Sequence, residues 1–125
     1  MKLIHTCINV KDMEESIEFY CEKLGMQLLA RREISENNAE IAFVKPDESE
    51  HAIELTHWRD KNNYSEGDQL DHLAFEVVNL SQKINDFRNA GMRIAKEPYQ
   101  LLGSKSKIAF ITDPNGVWIE LVEKK

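Results

Sequence analysis

The sequence predicts an α+β fold made of two βαβββ repeats, and three observations predict it. Short strings recur in one order at a nearly constant spacing. Residues 5–10 match 72–77 at an offset of 67, and 24–26 match 90–92 at 66. Residues 41–44 then match 108–111 at 67, and 52–55 match 118–121 at 66. Internal repetition of this kind marks a duplicated unit. Within each copy, one stretch of helical period follows a β-type stretch and precedes three more. The length, 125 residues, accommodates two such units around a shared core.

The elements follow in order. Residues 2–10 alternate and are rich in β-formers, so they read as the first strand. Asp12 is placed to cap a helix running to about residue 24, with Ile17, Phe19, Tyr20 and Leu24 as its apolar stripe and Gly25 at its left-handed stop. Strands are expected over 26–34, 39–45 and 51–58, punctuated by Asn37-Asn38 and Pro46-Asp47. The polar stretch 59–69 is a linker between a first module, 1–58, and a second, 70–125. The second module predicts a strand at 70–78, a helix at 80–90 ended by Gly91, and strands at 92–96, 106–112 and 117–123. Asp113-Pro114-Asn115-Gly116 is the turn between the last two. A βαβββ sheet has a helix on one face only. Pairing two units into a curved, barrel-like sheet covers the other face and leaves a cleft inside.

Composition narrows the function classes. The net charge of −6 leaves no basic stripe for phosphates, which argues against nucleic acid as a partner. No apolar run reaches the roughly 20 residues of a membrane span, and no signal-peptide core is present at the N-terminus. Two cysteines, Cys7 and Cys21, make no disulfide framework, so a cytoplasmic location is expected.

Side chains alternate along strands, so His5, Cys7 and Asn9 share one face, and Glu54, Thr56 and Trp58 another. The repeat relates His5 to His72 and Glu54 to Glu120. A curled sheet brings two imidazoles and two carboxylates to one cleft. Two His and two Glu, with waters, suit a six-coordinate divalent metal. The lack of cysteine ligands argues against a closed structural zinc site. Glu54 and Glu120 both stand in Ile-Glu-Leu, the pattern of a buried strand, where a carboxylate is costly unless paired or metal-bound. His51 and His57 point away from Glu54 by alternation and read as surface or edge residues. Arg31-Arg32 reads as a solvated turn of charge, and Glu14, Glu15, Glu18 and Glu22 as a solvated helix face. Cys7 shares the His5 face and reads as a buried thiol.

These residues carry a family resemblance over the whole chain. His5-Thr6, Ser16-Ile17-Glu18-Phe19-Tyr20, Leu24-Gly25-Met26, Ile53-Glu54-Leu55-Thr56, Asp71-His72-Leu73-Ala74 and the stretch 108–121 around Asp113-Pro114-Asn115-Gly116 resemble glyoxalase I, of the vicinal oxygen chelate superfamily. The resemblance implies that fold, with metal ligands at His5, Glu54, His72 and Glu120. It implies Ni²⁺ or Co²⁺, with Zn²⁺ as a further option, and a homodimer whose sites are shared between chains, as is usual in the family, or closed within one chain, as in some relatives. The implied reaction isomerises a methylglyoxal–thiol hemithioacetal, a small-molecule substrate, to a 2-hydroxyacyl thioester. Glu120 is the main base and Glu54 the carboxylate facing it. Phe43, Trp58, Phe110 and Trp118 are placed to enclose the substrate's methyl group.

The departures fall where the thiol binds. Glutathione-using members carry an arginine at the position of Asn9. They carry an asparagine past the second ligand, where this chain has Thr56-His57-Trp58-Arg59. The loop before the seventh strand reads Leu101-Leu102-Gly103-Ser104-Lys105-Ser106-Lys107. Rival readings are a related metal-dependent epimerase, dioxygenase or thiol transferase, and a metal-free small-molecule-binding resistance module. The epimerases commonly have glutamine at the position of Glu54, and the transferases and dioxygenases need only one carboxylate.

Overall fold

The computed structural model of the chain describes every residue except 66 and 101. Glu66 of the expected linker and Leu101 of the loop before the seventh strand therefore lie outside the described residues. The chain divides into two compact units, Met1–Ser65 and Glu66–Lys125.

The first unit runs β1 (His5–Asn9), α1 (Met13–Ile17), a π-helical turn (Glu18–Lys23), β2 (Gln27–Ile34), a short 3-10 turn (Ser35–Asn37), β3 (Ala39–Lys45) and β4 (Ala52–Trp58). Its open sheet has the order β1-β4-β3-β2, with β1 parallel to β4 and the other pairs antiparallel. The second unit runs β5 (His72–Val77), α2 (Leu80–Asn89), β6 (Ile94–Gln100), β7 (Lys107–Thr112) and β8 (Trp118–Glu123). Its order, β5-β8-β7-β6, repeats the first, again with one parallel pair, β5 and β8. Each unit is thus a βαβββ module, and together they make the α+β fold.

Local chemistry explains the boundaries. β1 starts at His5 instead of residue 2 because His5 already pairs with Ala52, the first residue of β4. β6 runs on to Gln100, past the expected residue 96, with register shifts around Lys96. It contains Pro98, which an edge strand tolerates because a lost N–H breaks no inner ladder. Asp12 caps α1 by accepting from Glu15 N at 2.9 Å. The helix then widens: Leu24 N donates to Phe19 O, five residues back, at 3.0 Å. This moves the buried stripe to Met13, Ser16, Phe19 and Tyr20, while Ile17 and Leu24 are only half-buried. Gly25 and Gly91 end the two helical segments at φ +77° and +78°, where a side chain would be strained.

The cores follow from strand alternation. In the first unit Ala42 pairs with Leu55 and Val44 with Ile53, and all four are buried, as are Phe19 and Tyr20 of the helical segment. In the second, Ala109 pairs with Leu121 and Ile111 with Ile119, buried together with Leu80, Ile84 and Phe87 of α2. The opposite face of each sheet carries the candidate site. Leu55 is fully buried. Leu55→Ala is expected to cost about 2–5 kcal/mol, read from the denaturant midpoint. An unchanged midpoint would contradict this packing.

One charge cluster differs from expectation. Arg31 lies in β2 and bridges Glu14 of α1, at 2.6 Å, and the buried Glu40 of β3. Arg59 reaches the same Glu40 at 3.4 Å and also pairs with Glu33. Arg31 is therefore no solvated turn residue. It satisfies a buried carboxylate that would otherwise be costly. Among the described residues, no helix is long and apolar enough to cross a membrane.

Candidate metal centre

In the first unit, β1 and β4 lie side by side in parallel, which puts Cys7 opposite Glu54 and Asn9 opposite Thr56. His5 Nε2 stands 3.1 Å from Glu54 Oε2, both side chains being partly exposed. Phe43, the β3 partner of Glu54, sets its ring edge-on to His5 at 5.4 Å and 76°. The other carboxylate oxygen, Glu54 Oε1, accepts from Thr56 Oγ1 at 3.5 Å. Thr56 Oγ1 in turn lies 3.2 Å from Cys7 Sγ. Trp58 Nε1 donates to Asn9 Oδ1 at 2.9 Å.

The second unit repeats the pair. His72 Nε2 and Glu120 Oε2 are 3.0 Å apart. Phe110, the β7 partner of Glu120, stands perpendicular to His72 at 5.6 Å and contacts Trp118 at 5.5 Å. His72 Nδ1 meets Asp71 Oδ2 at 2.7 Å. That hydrogen bond to Asp71 is the main reason the imidazole's pKa is raised. Desolvation opposes it and the Glu120 charge adds to it.

The four sequence-derived residues thus form two matched His–Glu pairs, one in each unit. Neither unit gathers a larger set: among the described residues, no group of three or more His, Cys, Asp or Glu side chains stands ready for a metal. The donor chemistry of each pair, one imidazole nitrogen beside one carboxylate oxygen, fits a borderline-to-hard divalent ion. Phe43, Phe110 and Trp118 are half-buried and Trp58 is exposed, so none is sealed in a core.

Several functional-face details were not foreseen. Cys7 is exposed, not buried. Partial desolvation of its thiol raises the pKa, Thr56 lowers it and the Glu54 charge raises it. His51 and His57 are tied to the backbone and to Thr6: His51 Nε2 lies 2.8 Å from Thr6 Oγ1, and His57 Nδ1 lies 3.1 Å from Val10 O. Lys105 and Lys107 are exposed, in keeping with ordinary surface lysines. Lys96 of β6 places its ammonium over the rings of Phe110 and Trp118, at 5.6 and 5.8 Å. Asp71 and Thr56 could have been found from the sequence by their positions beside the two ligand candidates. Lys96 carries no such signal.

Comparison with known proteins places the whole chain in a family. A family model described as the Glyoxalase/Bleomycin resistance protein/Dioxygenase superfamily matches residues 2–121. The chain is 37% identical to the lactoylglutathione lyase of Escherichia coli O157:H7, spanning 100% of itself and 94% of that protein. It is also 37% identical to a probable lactoylglutathione lyase of Synechocystis sp., over 98% of itself and 95% of the relative. Among solved structures, a trypanothione-dependent glyoxalase I from Leishmania major is similar with a TM-score of 0.84 at 30% identity, covering 98% of this chain and 86% of that one.

Proposed function

The chain belongs to the glyoxalase/bleomycin resistance protein/dioxygenase superfamily, and from that membership we propose that it is a lactoylglutathione lyase of the glyoxalase I type. It is a lyase that isomerises the hemithioacetal of methylglyoxal and a thiol to a 2-hydroxyacyl thioester. The observation that carries the residue assignment is the pair of matched His–Glu contacts, at 3.1 and 3.0 Å, on equivalent strands of the two units.

His5, Glu54, His72 and Glu120 would hold one divalent metal, with Ni²⁺ or Co²⁺ preferred and Zn²⁺ a further option. When bound, the ion supplies Lewis-acid stabilisation of charge developing on the substrate oxygens, worth several kcal/mol. The remaining steps belong to the side chains. Glu120 takes the proton from the carbon bearing sulfur and the proton is returned to the neighbouring carbon, while the hydroxyl proton passes from the oxygen of the first carbon to that of the second, so no atom is gained or lost. Glu54 stays as the opposing carboxylate. Phe43, Phe110, Trp58 and Trp118 exclude water around the substrate's methyl group. Asn9, held by Trp58, contributes a neutral amide toward the thiol portion. The protein works in the cytoplasm as a homodimer that completes the four-residue set.

The test is thioester formation by protein loaded with Ni²⁺, Co²⁺ or Zn²⁺, given methylglyoxal with glutathione, trypanothione or other low-molecular-weight thiols. Thioester is expected with at least one metal–thiol pairing, and its absence under all of them overturns the reading. The mass in solution is expected to be that of a dimer. A monomer would confine the site to one chain.

A further inference from the structure

The two His–Glu pairs are matched in position but not in what stands behind them. In the first unit the carboxylate is backed. Glu54 uses Oε2 toward His5 and Oε1 toward the hydroxyl of Thr56, which also lies against Cys7 Sγ. In the second unit the imidazole is backed. His72 uses Nε2 toward Glu120 and Nδ1 toward the carboxylate of Asp71 at 2.7 Å.

The repeat exposes how specific this is. The strand registers make Ala74 the counterpart of Cys7 and Val122 the counterpart of Thr56, since Ala74 faces Glu120 and Val122 faces Glu76. No hydroxyl or thiol is available there to hold Glu120. The position equivalent to Asp71 is Ile4, whose side chain cannot accept a proton from His5. Among the described residues of its own unit, the His5 ring has one polar partner, Glu54 at ion-pair distance, and the Glu120 carboxylate one, His72. Each half therefore secures one member of its pair, and the two halves secure opposite members.

We infer that Asp71 and Thr56 are positioning residues, Asp71 for the His72 imidazole and Thr56 for the Glu54 carboxylate, leaving His5 and Glu120 as the unbraced members of the set. An Nδ1–H held by a carboxylate fixes the ring orientation and keeps Nε2 as the donor atom. A hydroxyl donating to one carboxylate oxygen aims the other. Glu120, lacking such a brace, keeps the freedom to swing that a proton carrier requires. This last consequence rests on the proposed function, whereas the bracing itself rests on the hydrogen bonds.

Two measurements test it. In metal-free protein, ¹H–¹⁵N spectra of the imidazoles are expected to show a downfield, solvent-protected Nδ1–H for His72. Its assignment comes from His72→Gln. The resonance is expected to vanish in Asp71→Ala and to persist in Asp68→Ala, which loses the same charge nearby. Persistence in Asp71→Ala overturns the role of Asp71. Ni²⁺ titration by competition with a chelator is the second readout. Asp71→Ala and Thr56→Val are each expected to lose about 10–100-fold in affinity, the usual scale for outer partners of ligands, with Thr56→Ser restoring it. Wild-type affinity in Thr56→Val overturns the role of Thr56. Wild-type protein that binds no divalent ion overturns the proposed function and the role of Thr56 with it, while the imidazole spectrum still decides Asp71 independently.

Discussion

Glu120→Gln in the metal-loaded enzyme is expected to lower kcat by about 10²–10⁴-fold, the range in which a positioned general base contributes. Glutamine keeps the shape and can still offer an oxygen, so the loss isolates proton transfer from packing. Glu120 stands with one oxygen against His72 Nε2 at 3.0 Å, on a strand whose neighbouring positions, Ala74 and Val122, offer nothing to hold the second oxygen. Glu54 is engaged at both oxygens, by His5 and by Thr56. The two glutamine variants should therefore separate. Glu120→Gln loses mainly kcat, and Glu54→Gln loses mainly metal. The measurement is steady-state turnover at saturating metal beside metal affinity for both proteins. An unimpaired kcat in Glu120→Gln would move the base to Glu54.

A comparably large effect is expected from taking the ion away. Chelation should abolish turnover, and adding Ni²⁺ or Co²⁺ back should restore it. The same binding should appear as stability, because a ligand that binds only the folded state at about 100 times its Kd adds about 2.7 kcal/mol. The Tm should rise with Ni²⁺ in the wild type and stay flat in the double variant His5→Ala/His72→Ala, which keeps both glutamates but no imidazole nitrogen. A Tm rise of equal size in the double variant would mean that the ion is held elsewhere.

Much of this protein was legible in its sequence, for a physical reason. Strand alternation and the repeat are properties of neighbouring residues, so Ile41 through Val44 and Ile53 through Leu55 announced both their strands and their buried faces. The repeat related His5 to His72 and Glu54 to Glu120, but it is the β1–β4 and β5–β8 pairings that set each histidine beside its glutamate. What stayed hidden depends on partners far apart in the chain. The buried Glu40 draws its charge balance from Arg31 and Arg59, and nothing local to Arg31 distinguishes it from a solvated arginine. Cys7 shares the His5 face and reads as a buried thiol, but β1 is an edge strand and its thiol stays exposed. The 3.2 Å approach of Cys7 to Thr56 depends on the parallel register of β1 on β4, which a parallel pair does not declare through any hairpin turn.

The π-helical turn at Glu18–Lys23 also accounts for the first change of spacing along the duplication, from 67 to 66. The capping residues Asp12 and Asn79 are 67 apart, yet the terminating glycines, Gly25 and Gly91, are 66 apart. One residue more lies between cap and glycine in the first copy. The hydrogen bonds locate it: Met26 N reaches back six residues to Tyr20 O, whereas Met92 N reaches back five, to Phe87 O. A π turn is what an α-helix becomes when one residue is inserted and both ends are held. The first helical segment therefore carries one residue more than the second, and the wide turn takes it up inside the helix, so that Gly25 and Gly91 still close the two segments at nearly the same φ.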